Sequence, residues 1–403
     1  MINIAVLGFG VVGSGTVEVI DKNTERIAKN AGQDIRVKYI LDIREFPAGR
    51  YSSLFVEDFE TILNDPEIAI IVETIGGVGA AYDYTLRSLE AGKSVVTSNK
   101  ELVAMHGYEL LDLAGKKGVN YLFEASVGGG IPVIRPIAQC MAANNISEIY
   151  GILNGTTNYI LSEMVKNGAE FNDALKDAQK KGYAESDPTA DIEGHDTCRK
   201  VCILSSLAFG RHIFPSQVPT EGITGVTMED MGFAAALGYK IKLLGRSRAV
   251  GDKVAAYVAP HLISTENLLA GIDGVLNGVV VRGNAVGNVM FHGAGAGKMP
   301  TASAVAADVV DAAKHLHARK LISWAAGGPD IAEDPMYLES AWYIRTGAAR
   351  EKVEREFGSV TFAGPAGSPG TAFKTAVISG KKVKELIARG IPALSLFRVL
   401  GDH

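Results

Sequence analysis

Between residues 182 and 200, five carboxylates fall within twelve residues and a lysine follows them. The acids are Glu185, Asp187, Asp191, Glu193 and Asp196, in a stretch that also holds Gly182, Pro188 and Gly194 between two helical patterns. A polar inter-helix loop accounts for one or two of them, and Asp196 near a helix start would offset the helix dipole. It does not account for five acids followed by Lys200, four residues after Asp196 and on the same helix face. Carboxylates suit a substrate that carries an ammonium group, and oxidation of an alcohol needs a base beside the hydroxyl. Asp196 is placed to orient Lys200. Burial or a second cation such as Lys100 would lower the Lys200 pKa, while the neighbouring carboxylate would raise it, so the net shift stays open. Cys198 and Cys202, flanking Val201, more simply line a helix core. No Cys/His spacing suits a zinc-type centre.

A second constellation is Gly8, Phe9, Gly10, Val11, Val12 and Gly13, placed directly after an apolar run at 3–7 and opening a helical stretch to about residue 30. In that setting the glycine spacing is a dinucleotide fingerprint. Gly8 allows the tight turn, Gly10 lets a pyrophosphate approach the backbone, and Gly13 lets helix and strand pack closely. The helix start at Val11 and Val12 then supplies N–H groups and a positive dipole end for phosphate. The next strand ends at Leu41, Asp42, Ile43 and Arg44. A carboxylate there accepts from the ribose hydroxyls of NAD, whereas an arginine favours the 2′-phosphate of NADP, and both types are present. Asp42 lies farther from Gly13 than the usual ~20 residues, which suggests an extended first helix. Lys100 follows a strand at 94–97, at the carboxyl end where open α/β sheets bind ligands.

The elements that must position these groups follow a clear order. Strand patterns at 3–7, 35–41, 69–73, 94–97 and 120–123 alternate with helical patterns, including 82–91 and 109–117, which argues for right-handed βαβ units and a doubly wound parallel sheet of Rossmann type. From about 132 the texture changes to long helical patterns (158–166, 172–181, 197–210) and alternating stretches (254–258, 278–281), as in a separate α+β domain. A glycine-rich segment at 293–297 precedes a helix at about 301–315. The last part reads β-α-β-β-α-β, the ferredoxin-like order, over 337–345, 348–357, 359–363, 372–379, 383–389 and 393–400, as in a small regulatory module appended to an enzyme.

Composition excludes several classes. Forty basic against 45 acidic residues give a net charge of −5, with no basic tract, so nucleic acid is not an expected partner. No apolar run approaches the ~18 residues of a membrane span. The N-terminus enters a strand without a basic stretch and a signal core, and three cysteines (Cys140, Cys198, Cys202) fit a reducing cytoplasm.

Seven motifs in order, at 8–13, 73–77 (ETIGG), 97–100 (TSNK), 124–132 (EASVGGGIP), 154–161 (NGTTNYIL), 182–200 and 293–301, together resemble homoserine dehydrogenase. The resemblance spans about residues 1–325. It implies interconversion of L-homoserine and L-aspartate 4-semialdehyde with NAD or NADP, in threonine, methionine and isoleucine biosynthesis, and it tips the cofactor towards NADP. It also implies Lys200 as the proton-transfer residue and Lys100 as a second active-site lysine beside cofactor and substrate. Glu185, Asp191 and Asp196 would bind or orient homoserine, Gly155 and Thr156 would line the site, and Gly182 and Gly297 would touch the cofactor. Glu124, Val127, Gly129 and Ile131 match a monovalent cation site, with sodium as the ion, built largely from backbone carbonyls.

The family further implies two units, and the tail adds a third. Residues 1–132 with 295–325 form the dinucleotide-binding domain and 133–294 the substrate and dimerisation domain of a homodimer or higher oligomer, while the third unit, 336–403, resembles an ACT domain by its own β-α-β-β-α-β order. ACT effector loops usually carry an acid and a glycine, whereas this chain has Arg345, Thr346, Gly347 and Ala348. Arg345 and Arg350 there suit a carboxylate, but nothing nearby suits an amine. A chain ending near Asp334 is expected to stay catalytically competent if its dimer survives. Two other readings fit less of the sequence. A semialdehyde dehydrogenase that acylates a cysteine needs an activated thiol with a nearby histidine, and none of the three cysteines sits in a glycine-rich strand-end setting. A non-catalytic nucleotide sensor leaves the acid–lysine segment without a purpose.

Overall fold

The computed structural model describes residues 1–318, 322–364 and 371–401. Its first sheet is wholly parallel and built from β1 (Ile2–Leu7), β2 (Ile35–Leu41), β3 (Phe55–Val56), β4 (Ile68–Glu73), β5 (Ser94–Thr97) and β6 (Tyr121–Leu122). The strand order β3-β2-β1-β4-β5-β6 is that of a doubly wound sheet, whose order reverses between β1 and β4. Ile4, Val6, Ile70, Val72, Val95 and Val96 are fully buried, as expected of parallel strands covered on both faces. The expected long first helix is two helices, Val11–Lys22 and Thr24–Ala31. Both the side-chain and the backbone N–H of Asn23 turn back to the Val19 carbonyl and end the first. Two helices, not one extended helix, therefore fill the long interval before Asp42. The helix Lys298–Lys314 returns to this sheet and packs on Val11–Lys22 at Gly15, where an added Cβ would stand 3.0 Å from that of Ala302.

Among the described residues the second sheet has nine strands. β7 (Ile146–Ile152), β8 (Tyr239–Val250), β9 (Lys253–Ser264), β10 (Leu276–Gly283) and β11 (Gly287–Ala294) form its middle portion. The alternating stretches read from sequence are parts of β9 and β10, and β8 and β9 form one long antiparallel hairpin. Gly245 in β8 sets the depth of the helix His195–Phe209 above the sheet: a Cβ there would meet Val201 at 2.4 Å and Thr197 and Leu153 at 3.0 Å. Only glycine lets the helix that bears Asp196 and Lys200 sit this close to the end of β7.

The tail adds β12 (Glu339–Ser340), β13 (Trp342–Thr346), β14 (Val360–Phe362), β15 (Thr371–Thr375), β16 (Ile378–Ser379) and β17 (Ala393–Val399). With helices Arg350–Phe357 and Gly380–Ala388, strands β13, β14, β15 and β17 give the expected β-α-β-β-α-β order. The tail is not a freestanding appendage, however. β17 pairs in parallel with β9, so the tail strands complete the same sheet in the order β11-β10-β7-β8-β9-β17-β13-β15-β14. Arg345 is also not free to hold a ligand carboxylate. Its Nε donates to Asp230 Oδ1 at 2.7 Å and its Nη1 to Glu229 at 2.7 Å, while Tyr343 and Ser395 also donate to the fully buried Asp230. Among the described residues no helix is long and apolar enough to cross a membrane.

Candidate active site

The fingerprint turn is held from two sides. Gly8 takes φ +90°, and Thr74 donates its hydroxyl to the Leu7 and Gly8 carbonyls. A Cβ on Gly13 would stand 1.9 Å from the Gly8 oxygen, so the helix start can close on the turn only with glycine there. The helix follows Gly10 with no side-chain cap, which leaves the first amides, around Val11 and Val12, without intrahelical partners. Beside this turn opens a cleft of about 750 Å³, lined by Gly8, Gly10, Asp42, Arg44, Thr74 and Gly76. Asp42 accepts the Phe9 N–H at 2.6 Å and takes Arg44 in a two-pronged pair, Nε at 2.9 Å and Nη2 at 2.8 Å. Arg44 holds the Asp42 carboxyl down to about 2. The guanidinium lies over Gly10, 3.6 Å from where a Cβ would be.

The acid–lysine constellation assembles at the edge of this domain. Helix Lys100–Lys117 starts at Lys100, capped by Asn99, whose side chain accepts from Leu102 N–H and donates to the Ile75 and Gly77 carbonyls. Beneath it the fully buried Glu73 accepts from the Thr97 hydroxyl at 2.5 Å and the Ile75 N–H at 2.6 Å, and burial pushes its carboxyl up to about 7. Helix His195–Phe209 starts after Gly194, at φ +83°, and presents Asp196 and Lys200. Asp196 pairs with both lysines: Lys100 on one oxygen, and Lys200 on the other at 2.8 Å. Lys200 also donates to the Leu153 carbonyl at 2.7 Å. Asn154 donates to Asp191 at 2.7 Å and to Asp196 at 2.9 Å.

The electrostatics separate these groups. Burial would raise the Asp196 carboxyl, yet Lys200 and Lys100 together hold it far below the usual carboxylate range. Burial, with Asp196 nearby, raises Asp191. Burial also lowers Lys200 despite its carboxylate. It acts in the same sense on Lys100, but Asp196 and Asp191 outweigh it, and Lys100 ends above its ordinary value. One lysine is thus moved towards the neutral form and the other away from it.

The structure therefore brings Lys100, Lys200, Asp191 and Asp196 together. Gly155 and Thr156 open the next helix, Gly155–Asn167, with the Thr156 hydroxyl donating to the Tyr183 carbonyl at 2.6 Å. Glu185 is exposed, and its carboxylate makes no salt bridge among the described residues. Gly182 ends a turn at φ +75°, and Gly297 precedes the helix that packs on the fingerprint helix. Sequence reasoning missed Asn154 and Glu73 as parts of the site. The signal for Asn154 was its cap position before a helical run; for Glu73 it was an acid ending an otherwise apolar strand.

In the 124–131 turn, the Glu124 carboxylate accepts from the N–H groups of Val133 (2.6 Å), Ile134 (2.8 Å) and Arg135 (2.8 Å). It is spent on the backbone. Gly129 takes φ +56°, packed so that a Cβ would lie 2.2 Å from the Gly295 carbonyl oxygen. Among the described residues no cluster of three or more His, Cys, Asp or Glu forms a metal-binding group.

A family model described as homoserine dehydrogenase matches residues 132–310, and one described as its NAD binding domain matches residues 8–124. The homoserine dehydrogenase of Neisseria gonorrhoeae is 44% identical over 363 residues, 87% of this chain and 82% of that protein. The chain belongs to the homoserine dehydrogenase family. Homoserine dehydrogenase of Pseudomonas aeruginosa is 43% identical over 352 residues, 85% of this chain and 81% of its own. The crystal structure of a homoserine dehydrogenase from Thiobacillus denitrificans superposes with a TM-score of 0.89 at 38% identity, covering 99% of this chain and 98% of that one. A hyperthermophilic archaeal homoserine dehydrogenase in complex with NADPH matches with a TM-score of 0.65 at 26% identity, over 77% of this chain and 97% of that one. As a homoserine dehydrogenase, the chain is an NAD(P)-dependent oxidoreductase of amino-acid biosynthesis.

Proposed function

We propose that Lys200 transfers the proton in this homoserine dehydrogenase and that Asp196 orients it, with Lys100 as the permanently charged partner. Oxidation removes the proton from the homoserine hydroxyl oxygen and a hydride from the carbon that bears it, and a bound nicotinamide dinucleotide would supply the hydride acceptor. The observation that carries the reading is the buried Lys200, held at two points by Asp196 and the Leu153 carbonyl and lowered by burial. A lysine whose neutral form is accessible takes the hydroxyl proton in oxidation and returns it in reduction. Lys100, raised by Asp196, keeps its charge and neutralises the carboxylate that orients Lys200. Asp191 and the exposed Glu185 face the substrate ammonium, with Gly155 and Thr156 beside them. Homoserine-dependent reduction of NADP+ by the purified chain, followed by nicotinamide absorbance, tests the activity; no turnover with homoserine would refute it.

The cofactor reading is NADP, with NAD as the lesser cofactor. Asp42 already spends both oxygens on Phe9 and Arg44, so the guanidinium, not the carboxylate, meets the adenosine ribose. Gly8, Gly10, Val11, Val12 and Gly13 cradle the pyrophosphate, and Gly182 and Gly297 touch the cofactor. Arg44→Ala is expected to raise KM for NADP well above any change for NAD, because only NADP offers a phosphate for a charge-assisted bond. Equal losses for the two would place Arg44 elsewhere.

A sodium ion in the 124–131 turn would rest on the backbone carbonyls of Glu124, Val127, Gly129 and Ile131, the donor type left once the Glu124 carboxylate is spent; carbonyl oxygens replace a hydration shell well. Apolar Leu268, Val275 and Leu276 stay exposed in the middle portion, which supports a homodimer. The tail strand order supports an ACT-like unit, and the internal engagement of Arg345 speaks against amino-acid feedback there. Three unpaired cysteines fit a cytoplasmic enzyme.

A further inference from the structure

The dipeptide Leu153 and Asn154, between β7 and the helix Gly155–Asn167, touches Lys200 itself and both carboxylates that act on it. The Leu153 carbonyl accepts from Lys200 at 2.7 Å. Both N–H bonds of the Asn154 amide are spent on acids, one on Asp191 Oδ1 and one on Asp196 Oδ2. Its oxygen accepts the Thr157 N–H at 2.8 Å, which fixes the amide orientation and leaves the NH2 group aimed at the carboxylates. The residue is 5% exposed. Asp196 Oδ2 is the same oxygen that takes Lys200.

We propose that Asn154 is a positioning residue for proton transfer: it locks the Asp196 carboxylate onto Lys200 and holds the second acid, Asp191, apart from that pair. The buried Asp196 and the half-buried Asp191 repel each other as carboxylates, and the amide is the neutral donor that satisfies both without adding charge. Without it, Asp196 is free to turn towards Lys100, which already holds its other oxygen, and Lys200 loses its alignment. The charged groups around Lys200 are Asp196 on its own helix, Lys100 at the start of its helix, and Asp191 in the short helix Thr189–Ile192; Arg199 also faces Lys100. This inference rests on Lys200 as the proton-transfer residue.

A merely structural Asn154 would be a helix cap, and Asp and Ser cap helices as well as Asn does. The test is therefore Asn154→Asp and Asn154→Ser, read by kcat, by KM and by the pH profile of homoserine oxidation. Both keep the cap and lose the NH2 group that reaches the two acids together. Misalignment of the lysine is expected to lower kcat by about 10²-fold in each, with KM for NADP unchanged. Asn154→Asp also adds a third carboxylate, which raises the Lys200 pKa, so its rate is expected to rise with pH about one unit later than wild type. Asn154→Ser adds no charge and lacks that displacement. If Asn154→Asp fails to fold, Asn154→Ser decides by its kcat against KM. Variants with wild-type kcat and an unmoved profile would overturn the role of Asn154. Lys200→Ala in parallel separates the two readings: an active Lys200→Ala refutes the lysine itself, whereas an inactive one beside wild-type Asn154 variants refutes Asn154 alone.

Discussion

Lys200→Ala is expected to lose about 10²–10⁴-fold in kcat while NADP binding survives, the usual worth of a general acid–base group. The cofactor cleft is built by the first domain, and Lys200 stands on the helix His195–Phe209, so its removal leaves the fingerprint turn untouched. Asp196 keeps Lys100 and Asn154 as partners in the variant, which limits the cost of the buried carboxylate. Lys200→Arg is the sharper control. Arginine keeps the charge beside Asp196 but does not give up its proton, so it is expected to fail as alanine does. Steady-state turnover with homoserine, with cofactor binding measured separately, checks both. Either variant retaining more than about half of wild-type turnover would remove Lys200 from the proton transfer, given that expected magnitude.

Loss of the tail is expected to unfold more than the tail. Tyr343, Phe397 and Val399 belong to the main hydrophobic core, not to a separate one, and β17 supplies the neighbour of β9. A chain ending near Asp334 would expose that core and leave β9 as an open edge, a ready site for aggregation. The expectation from sequence alone was the opposite. The point variant Arg345→Ala tests the joint without removing the strand. It leaves Asp230 fully buried without its cation, and breaking a buried pair from one side costs about 3–5 kcal/mol. Urea unfolding of Arg345→Ala, with solubility and activity of the truncated chain, measures this. A truncated chain that is soluble, folded and active would show the tail to be detachable.

The first domain was legible because glycines, a short apolar strand and a helix follow each other within a dozen residues, and local sequence decides each. The acid–lysine helix was legible for the same reason: Asp196 and Lys200 are one turn apart. β8 was harder to read. It carries Lys240, Lys242, Arg246 and Arg248, and the enclosure of Lys242 and Arg246 depends on partners far away: Lys242 donates to Asn158 and Asp273, and Arg246 pairs with Glu148. Asn154 escaped notice because Asp191 and Asp196 lie about forty residues further on and meet it only when the helix settles over Gly245. The joint between tail and middle sheet was hidden likewise, since the register of β17 on β9 is not a local property. Glu185 stands at the surface of the same segment, a placement that its position in the run of acids does not reveal.

The most direct test of the proton-transfer account is the pH dependence of kcat in both directions with the wild-type chain. Neutral Lys200 accepts the proton in homoserine oxidation, and protonated Lys200 donates it in reduction of the semialdehyde. Burial lowers Lys200, so the account predicts that oxidation rises and reduction falls with pH through one shared pKa, below the ordinary lysine value of about 10.4. Limbs of the same sign in both directions, or a shared limb at or above that ordinary value, would contradict it.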